Sequence, residues 1–495
     1  MQLLSLLFNS FAAGILLLLG TGCYAIYQCF LSPLARIPGP FWAKLTNWHR
    51  AYLTYEGQAH RKYLALHRNL PLRGAELATE RISRSVADPT AFREIYKAGG
   101  KFAKSASYSV PKEIHAFDLF RQRNEKIHGE QRKLVARAYS MDSMVHLEPN
   151  VSSLLTSMVQ KLDTLSGVVD LGVFLQLFAF DVIGAVSFSR PFGYVTAGDD
   201  DGVFSRLKQS LRSMSWLMNV PWFYDLHQVL KPYIGNWLAV NDRNGYFYQF
   251  AAQEIVSRKD RGGDDRDIVN QLFAIQKTKP HFSDTDMAYM LTANVFAGSD
   301  TTATSLNAIF YLLLKNPTVY QRLMQELEEK RAAGELSDLV TFQQAESCPY
   351  LQAVMYEALR LYPAAGLQLN RDVPEGGMKI GKYYVPEGTV VGSSAWVIHR
   401  LPEIWGPDFE EFRPERWLEG DVGNLKRFYF SFGGGSRTCV GRNISWLEMS
   451  KLVPTLLMRY NIQLAPGAKV TDESGGLIFI KGLNVLLSPR QRAVA

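Results

Sequence analysis

Ten residues near the C-terminal end, Phe432-Gly433-Gly434-Gly435-Ser436-Arg437-Thr438-Cys439-Val440-Gly441, carry the strongest chemical signal in the chain. Three consecutive glycines let a backbone turn tightly and approach a flat ligand where side chains would intrude. Cys439 lies just before a predicted helix start, with Arg437 two residues away. Helix dipole, cation and backbone N–H groups favour its thiolate over its thiol. A thiolate held this way suits a soft-ligand metal site. An isolated cysteine in a Gly-rich turn would be an ordinary buried thiol; here the full ten-residue arrangement points to a ligand. The other cysteines, Cys23, Cys29 and Cys348, make no C-x-x-C pair, so neither a zinc site nor a disulfide framework is indicated. A reducing compartment fits that usage.

Two further groups could do chemistry or support it. Asp300 and Thr301 sit in the middle of a helical pattern, where neither type is a favoured helix former. One reading bonds the threonine back to its own helix with the aspartate in solvent; on a buried helix the same pair would handle protons. Glu357 and Arg360 stand i, i+3 on one helix face and can pair. At a surface such a pair is worth roughly 0–1 kcal/mol.

The Cys439 loop resembles the haem-binding signature of cytochrome P-450 enzymes, F-x-x-G-x-R-x-C-x-G, at every specified position. Glu357-Ala358-Leu359-Arg360 resembles the family's E-x-x-R helix, Pro414-Glu415-Arg416-Trp417 its P-E-R-aromatic meander, and Ala297-Gly298-Ser299-Asp300-Thr301-Thr302 its oxygen-binding central helix. The resemblance implies haem b with Cys439 as axial thiolate, in a loop shaped by Phe432, Gly433, Gly435 and Gly441. It implies that Ala297 and Gly298 let dioxygen approach the helix, that Thr301 hydrogen-bonds it, and that Asp300 relays protons through water. Arg416 would join Glu357 and Arg360 in a network bracing the meander. Propionates would fall to Arg437 first, then to Arg132 and Arg371. The helix that commonly offers W-x-x-x-R reads His128-Gly129-Glu130-Gln131-Arg132 here. His128 would therefore either replace the tryptophan at a propionate or be an exposed histidine.

The implied reaction is monooxygenation of a lipophilic small molecule. About 56 residues follow Cys439 and no nucleotide-binding fingerprint is evident, so electrons would come from NADPH-cytochrome P-450 reductase, with cytochrome b5 as a second donor. Docking is expected on the basic side near Arg132, Lys133 and Arg442. The sequence style resembles filamentous-fungal enzymes related to pisatin demethylase, which suggests secondary metabolism or detoxification. An isomerase or dehydratase on the same fold, or a haem sensor, are the competing readings.

The elements that must hold these groups read as mainly α with small β-sheets, an α+β arrangement in which a long central helix crosses a buried haem. That helix is predicted to start near Ser283, with Asp286 as a capping-box partner, and to end at Asn316-Pro317. Its Asn294, Ser299, Asp300, Thr302 and Asn307 argue against a membrane span. A helix over Tyr350–Tyr362, strands at Lys382–Val385 and Thr389–Gly392, a helix over Arg442–Tyr460 bent at Pro454, and a hairpin at Gly475–Gly482 follow.

From Leu3 to Ile26 no residue is charged, a run long enough for a bilayer core of about 30 Å. Cations first appear at Arg36, Lys44 and Arg50, placing the main domain on the cytosolic side. The segment lacks a basic n-region and an evident cleavage site, so it reads as an uncleaved anchor of the endoplasmic reticulum membrane. The expected organisation is an anchor at 1–30, a Pro-rich hinge at 31–44 and a catalytic domain at 45–495. The remaining composition, 47% hydrophobic with net charge +7, is that of a folded globular chain. It has no long Lys/Arg run and no nucleic-acid motif, which leaves a mildly basic surface.

Overall fold

The computed structural model describes residues 2–35, 37–69, 76–78, 83–110, 117–238, 242–261 and 266–490. Arg36, one of the cations expected to flank the anchor, lies outside them. The helices that matter to the site are α1 (Gln2–Ile26), α2 (Glu125–Val135), α3 (Leu171–Phe188), α4 (Val203–Leu217), α5 (Pro221–Ile234), α6 (Asp284–Lys315), α7 (Pro349–Leu361) and α8 (Arg442–Arg459). The expected mainly helical architecture with small sheets is what the chain adopts.

α6 is the central helix. Its start is fixed by the capping box expected from sequence: the Asp286 N–H donates to Ser283 Oγ at 3.1 Å, and the Ser283 N–H donates to Asp286 Oδ2 at 2.9 Å. It packs most closely against α3. Two glycines allow that approach. A Cβ on Gly298 would meet Ile183 of α3 at 2.8 Å, and one on Gly172 would meet Asn307 Oδ1 at 2.6 Å. α3 is apolar enough to cross a membrane, but most of it is buried in the core. The stretch Phe11–Leu31, from within α1 to just past its end, meets the same test of length and apolarity with none of it buried.

Among the described residues, eleven short strands form four sheets. β1 (Glu76–Ala78), β2 (Ser83–Val86), β7 (Val390–Gly392) and β4 (Arg371–Asp372) make the largest, in that order. β5 (Met378–Ile380) pairs with β6 (Tyr383–Val385), and β3 (Val168–Asp170), β11 (Asn484–Pro489) and β8 (Tyr460–Leu464) form a third sheet. The hairpin expected at Gly475–Gly482 sits earlier: β9 (Thr471–Ser474) pairs with β10 (Ile478–Lys481), Ser474 opposite Ile478. Gly475 and Gly476 form its turn rather than its first strand, because Gly476 takes a φ of 98° that few other residues tolerate. Nor does it close the domain, since β11 follows.

Candidate active site

The Cys439 loop is built by its own backbone. The Gly433 N–H donates to Phe430 at 3.0 Å, and the Cys439 N–H donates to Phe432 at 2.8 Å. Gly433 and Gly435 both take positive φ. A Cβ on Gly435 would stand 2.4 Å from the Tyr96 carbonyl oxygen, so this glycine is needed for contact with protein backbone as well as for the turn. α8 starts immediately after, with Gly441 at its N-cap and Phe432 packed near Trp446.

Cys439 is surrounded by protein, yet its side chain is exposed, as a group open to an internal cleft would be. Burial raises its thiol pKa, against the lowering effect of the Gly441 and Arg442 N–H groups and of Arg132. This differs from the expected thiolate. The helix start and cation are present as expected, but loss of solvation outweighs them until a positive centre binds the sulphur.

α6 carries a stripe of small residues. Ala293 and Ala297 are exposed in the middle of an otherwise buried helix, and Gly298 and Thr301 are half-buried. The i, i+4 spacing puts Ala293, Ala297 and Thr301 on one face. Thr301 Oγ donates to the Ala297 carbonyl at 2.6 Å, so the back-bonded reading is right for this hydroxyl. Asp300 is not in solvent: it is buried and accepts from Gln176 of α3 at 2.7 Å. Asp300 and Thr301 therefore point to different sides of α6. The missing side chain of Gly298 makes room for Ile183.

Five basic groups gather at one edge of the cleft. Arg132 donates to the Thr438 carbonyl at 2.6 Å, and Arg371 to the Asn370 carbonyl at 2.9 Å, with its guanidinium over Tyr96. Arg437 pairs with Glu125 at 2.6 Å and donates to Gln122 at 2.7 Å. His128 is buried, not exposed; burial and then Arg437, Lys104, Arg132 and Arg371 push its pKa to about 3. Lys104, which no motif marked, is buried and bonds the Phe120 carbonyl. Burial, then Arg371 and Arg437, hold its ammonium well below the usual lysine range. Among the described residues only Arg437 of these five has an ion-pair partner. The arrangement is short of negative charge, and a flat ligand carrying two carboxylates would supply it.

A buried network holds the loop in place. Arg360 donates to both oxygens of Glu357 at 2.8 Å; Arg416 adds a bond at 2.8 Å and Trp417 another at 2.9 Å. Burial would raise the Glu357 pKa, but the two guanidiniums more than offset it. The arginines also reach the carbonyls of His399, Phe409, Glu411 and Trp405 in the meander. The C-terminal carbonyls that a helix leaves unpaired are taken up here as well. In α7, Leu359 accepts from Ser431, Arg360 from His399 and Leu361 from Arg400. His399 Nε2 in turn accepts the Phe430 N–H at 2.7 Å, two residues before the loop. This buried imidazole, kept neutral by burial and by Arg360, is the link that sequence motifs did not reveal.

The family profile of cytochrome P-450 matches residues 52–487. The chain is 50% identical over 478 residues to cytochrome P-450 monooxygenase hepC of Aspergillus oryzae, covering 92% of both chains. It is 35% identical to cytochrome P-450 monooxygenase cicH of Emericella nidulans, covering 88% of this chain and 90% of that one. To a pisatin demethylase of Fusarium vanettenii it is 34% identical, covering 89% and 86%. With the family profile matched over residues 52–487 and a monooxygenase relative 50% identical along nearly its whole length, the chain belongs to the cytochrome P-450 family of monooxygenases.

Proposed function

We propose that this chain holds haem b through Cys439 and oxidises a lipophilic small molecule. The observation that carries the reading is the Cys439 sulphur, exposed although surrounded by protein, together with the small-residue stripe on α6. Arg132, Arg371, Arg437 and Lys104 would hold the propionates, with His128 packed among them. Ala297 and Gly298 would border the distal face, and Phe432, Gly433, Gly435 and Gly441 would shape the proximal loop. When bound, a haem with an axial thiolate supplies dioxygen activation and transfer of one oxygen atom to substrate.

The protein's own contribution is placement and protons. Because Thr301 donates its hydroxyl hydrogen to Ala297, its Oγ turns lone pairs to the cleft and accepts a hydrogen bond there. Asp300, held by Gln176 on the other side of α6, acts as a carboxylate that passes protons inward through water. Glu357, Arg360 and Arg416 keep the meander rigid and touch no reacting atom.

Electrons come from NADPH-cytochrome P-450 reductase, with cytochrome b5 as a second donor. The exposed Lys133 and Arg442, next to the cleft's cationic edge, support docking on that face. α1 anchors the chain in the endoplasmic reticulum membrane, with 1–30 as the anchor, 31–44 as the hinge and 45–495 as the cytosolic domain. A band of exposed aromatics supports membrane contact there: Trp48, Tyr52, Trp222, Tyr233 and Trp237 are each 40% or more exposed. The regions bordering the cleft, including Ala364–Leu369 and Leu477–Ile480, are mostly apolar, which suits a hydroxylation, epoxidation or demethylation substrate of fungal secondary metabolism or detoxification.

The test is a ferrous–CO difference spectrum of the purified protein and of Cys439→Ala. The wild type is expected to show the thiolate-type band and the variant to lack it. A thiolate-type band that survives in the variant would sink the assignment of Cys439.

A further inference from the structure

The hydroxyls of Thr302 on α6 and Ser445 on α8 meet at 2.8 Å, and both side chains are buried. Most other hydroxyls on this stretch of α6 turn inward. Thr292, Ser299, Thr301 and Ser305 each donate to the carbonyl four residues back in their own helix. Such a bond satisfies the hydroxyl without tying the helix to anything else. Thr302 and Thr304 reach off the helix instead, Thr304 to the Ile478 carbonyl of β10 at 2.8 Å.

Nearer the N-terminal end of α6, before the Ala297–Thr301 stripe, Asn294 Nδ2 donates to the Tyr139 hydroxyl at 2.7 Å. The Tyr139 carbonyl accepts from Asn443 of α8 at 2.9 Å. Asn443 and Ser445 both lie at the start of α8, directly after Cys439. The α6–α8 spacing is thus pinned at two points along α6, directly through Thr302 and indirectly through Tyr139.

We infer that Thr302 and Ser445 are positioning residues: their hydroxyl pair sets the distance between the Thr301 face of α6 and the Cys439 sulphur. Apolar contact alone would hold the two helices in a shallow well, since each atom pair contributes only about 0.1–0.2 kcal/mol. A hydroxyl pair is directional and confines its oxygens to about 2.5–3.0 Å. A slot for a rigid planar group tolerates misplacement of only about 0.5 Å. The inference rests on the haem-thiolate reading above and deepens it.

The experiment compares Thr302→Val, Ser445→Ala, the double variant, Thr302→Ser and Thr304→Val as haem-loaded proteins, with carbon monoxide as the probe. Two quantities are read: the C–O stretching band of the ferrous–CO complex, and the rate at which its thiolate-type absorption is lost. Thr302→Val and Ser445→Ala are each expected to shift or broaden the stretch and to speed the loss roughly 2- to 10-fold, the worth of one buried hydrogen bond. The double variant should be no worse than either single one, and Thr302→Ser should restore wild-type behaviour. Thr304→Val removes an equal bond from the same helix but not to α8, so it should lower the melting temperature and leave the stretch unchanged. If Thr302→Val matches wild type, or cannot be told from Thr304→Val in both readouts, the tether is wrong. A wild-type protein without a thiolate-type band would instead overturn the haem-thiolate reading itself.

Discussion

Replacing His399 by leucine should weaken the fold by about 2–6 kcal/mol at pH 7.5. The imidazole bonds two backbone groups, the Arg360 carbonyl at 2.8 Å and the Phe430 N–H at 2.7 Å, and is itself fully buried. Leucine fills similar space but leaves both groups unpaired, at about 1–3 kcal/mol each. It also loses the stacking on Tyr429, whose ring lies 5.6 Å away and nearly parallel. Against a total stability of about 5–15 kcal/mol this is a large share, and it falls on the joint between α7 and the Cys439 loop. The effect depends on pH with a defined sign. Burial and Arg360 hold the folded-state pKa of His399 well below its ordinary 6.5, so the folded protein carries it neutral. Unfolded chains take up a proton as pH falls below 6.5, and wild type then loses about 1.4 kcal/mol per unit through this residue. The leucine variant has no such loss. The deficit should therefore be nearly constant above pH 7 and about 1 kcal/mol smaller at pH 5.5 than at pH 6.5. Denaturant unfolding at a series of pH values, paired with the ferrous–CO band, measures both. An unchanged midpoint at pH 7.5, or a deficit that grows on acidification, would refute the role given to the imidazole.

Two further outcomes follow from the site. Gly435→Ala should cost more than Gly376→Ala, because both need positive φ but only the first would put a Cβ 2.4 Å from a backbone oxygen; Gly376 has open space. Melting temperatures of the two variants compare the costs, and only Gly435→Ala should disturb the thiolate-type band. Lys104→Met should act with opposite signs in the two states. It removes a buried ammonium crowded by Arg371 and Arg437, so haem-free protein gains stability, while haem transfer to a scavenger globin speeds roughly 10- to 100-fold if a charged bond of about 1.5–3 kcal/mol is lost.

Sequence alone determined whatever rests on local spacing. The Cys439 loop, the E-x-x-R helix, the meander and the capped start of α6 are contiguous patterns whose chemistry depends on near neighbours, and each appears where its residues place it. Tertiary structure decided what depends on which side of an element a group faces and on what surrounds it. Burial reversed the expected bias of the free Cys439 thiol, since desolvation is a property of the whole neighbourhood. Thr301 and Asp300 are adjacent in sequence, but a helix turns about 100° per residue, so one meets the cleft and the other meets Gln176. Lys104 and His399 carry no motif at all. Their roles come from partners far along the chain, Arg371 and Phe430 among them, which only the folded backbone brings within reach.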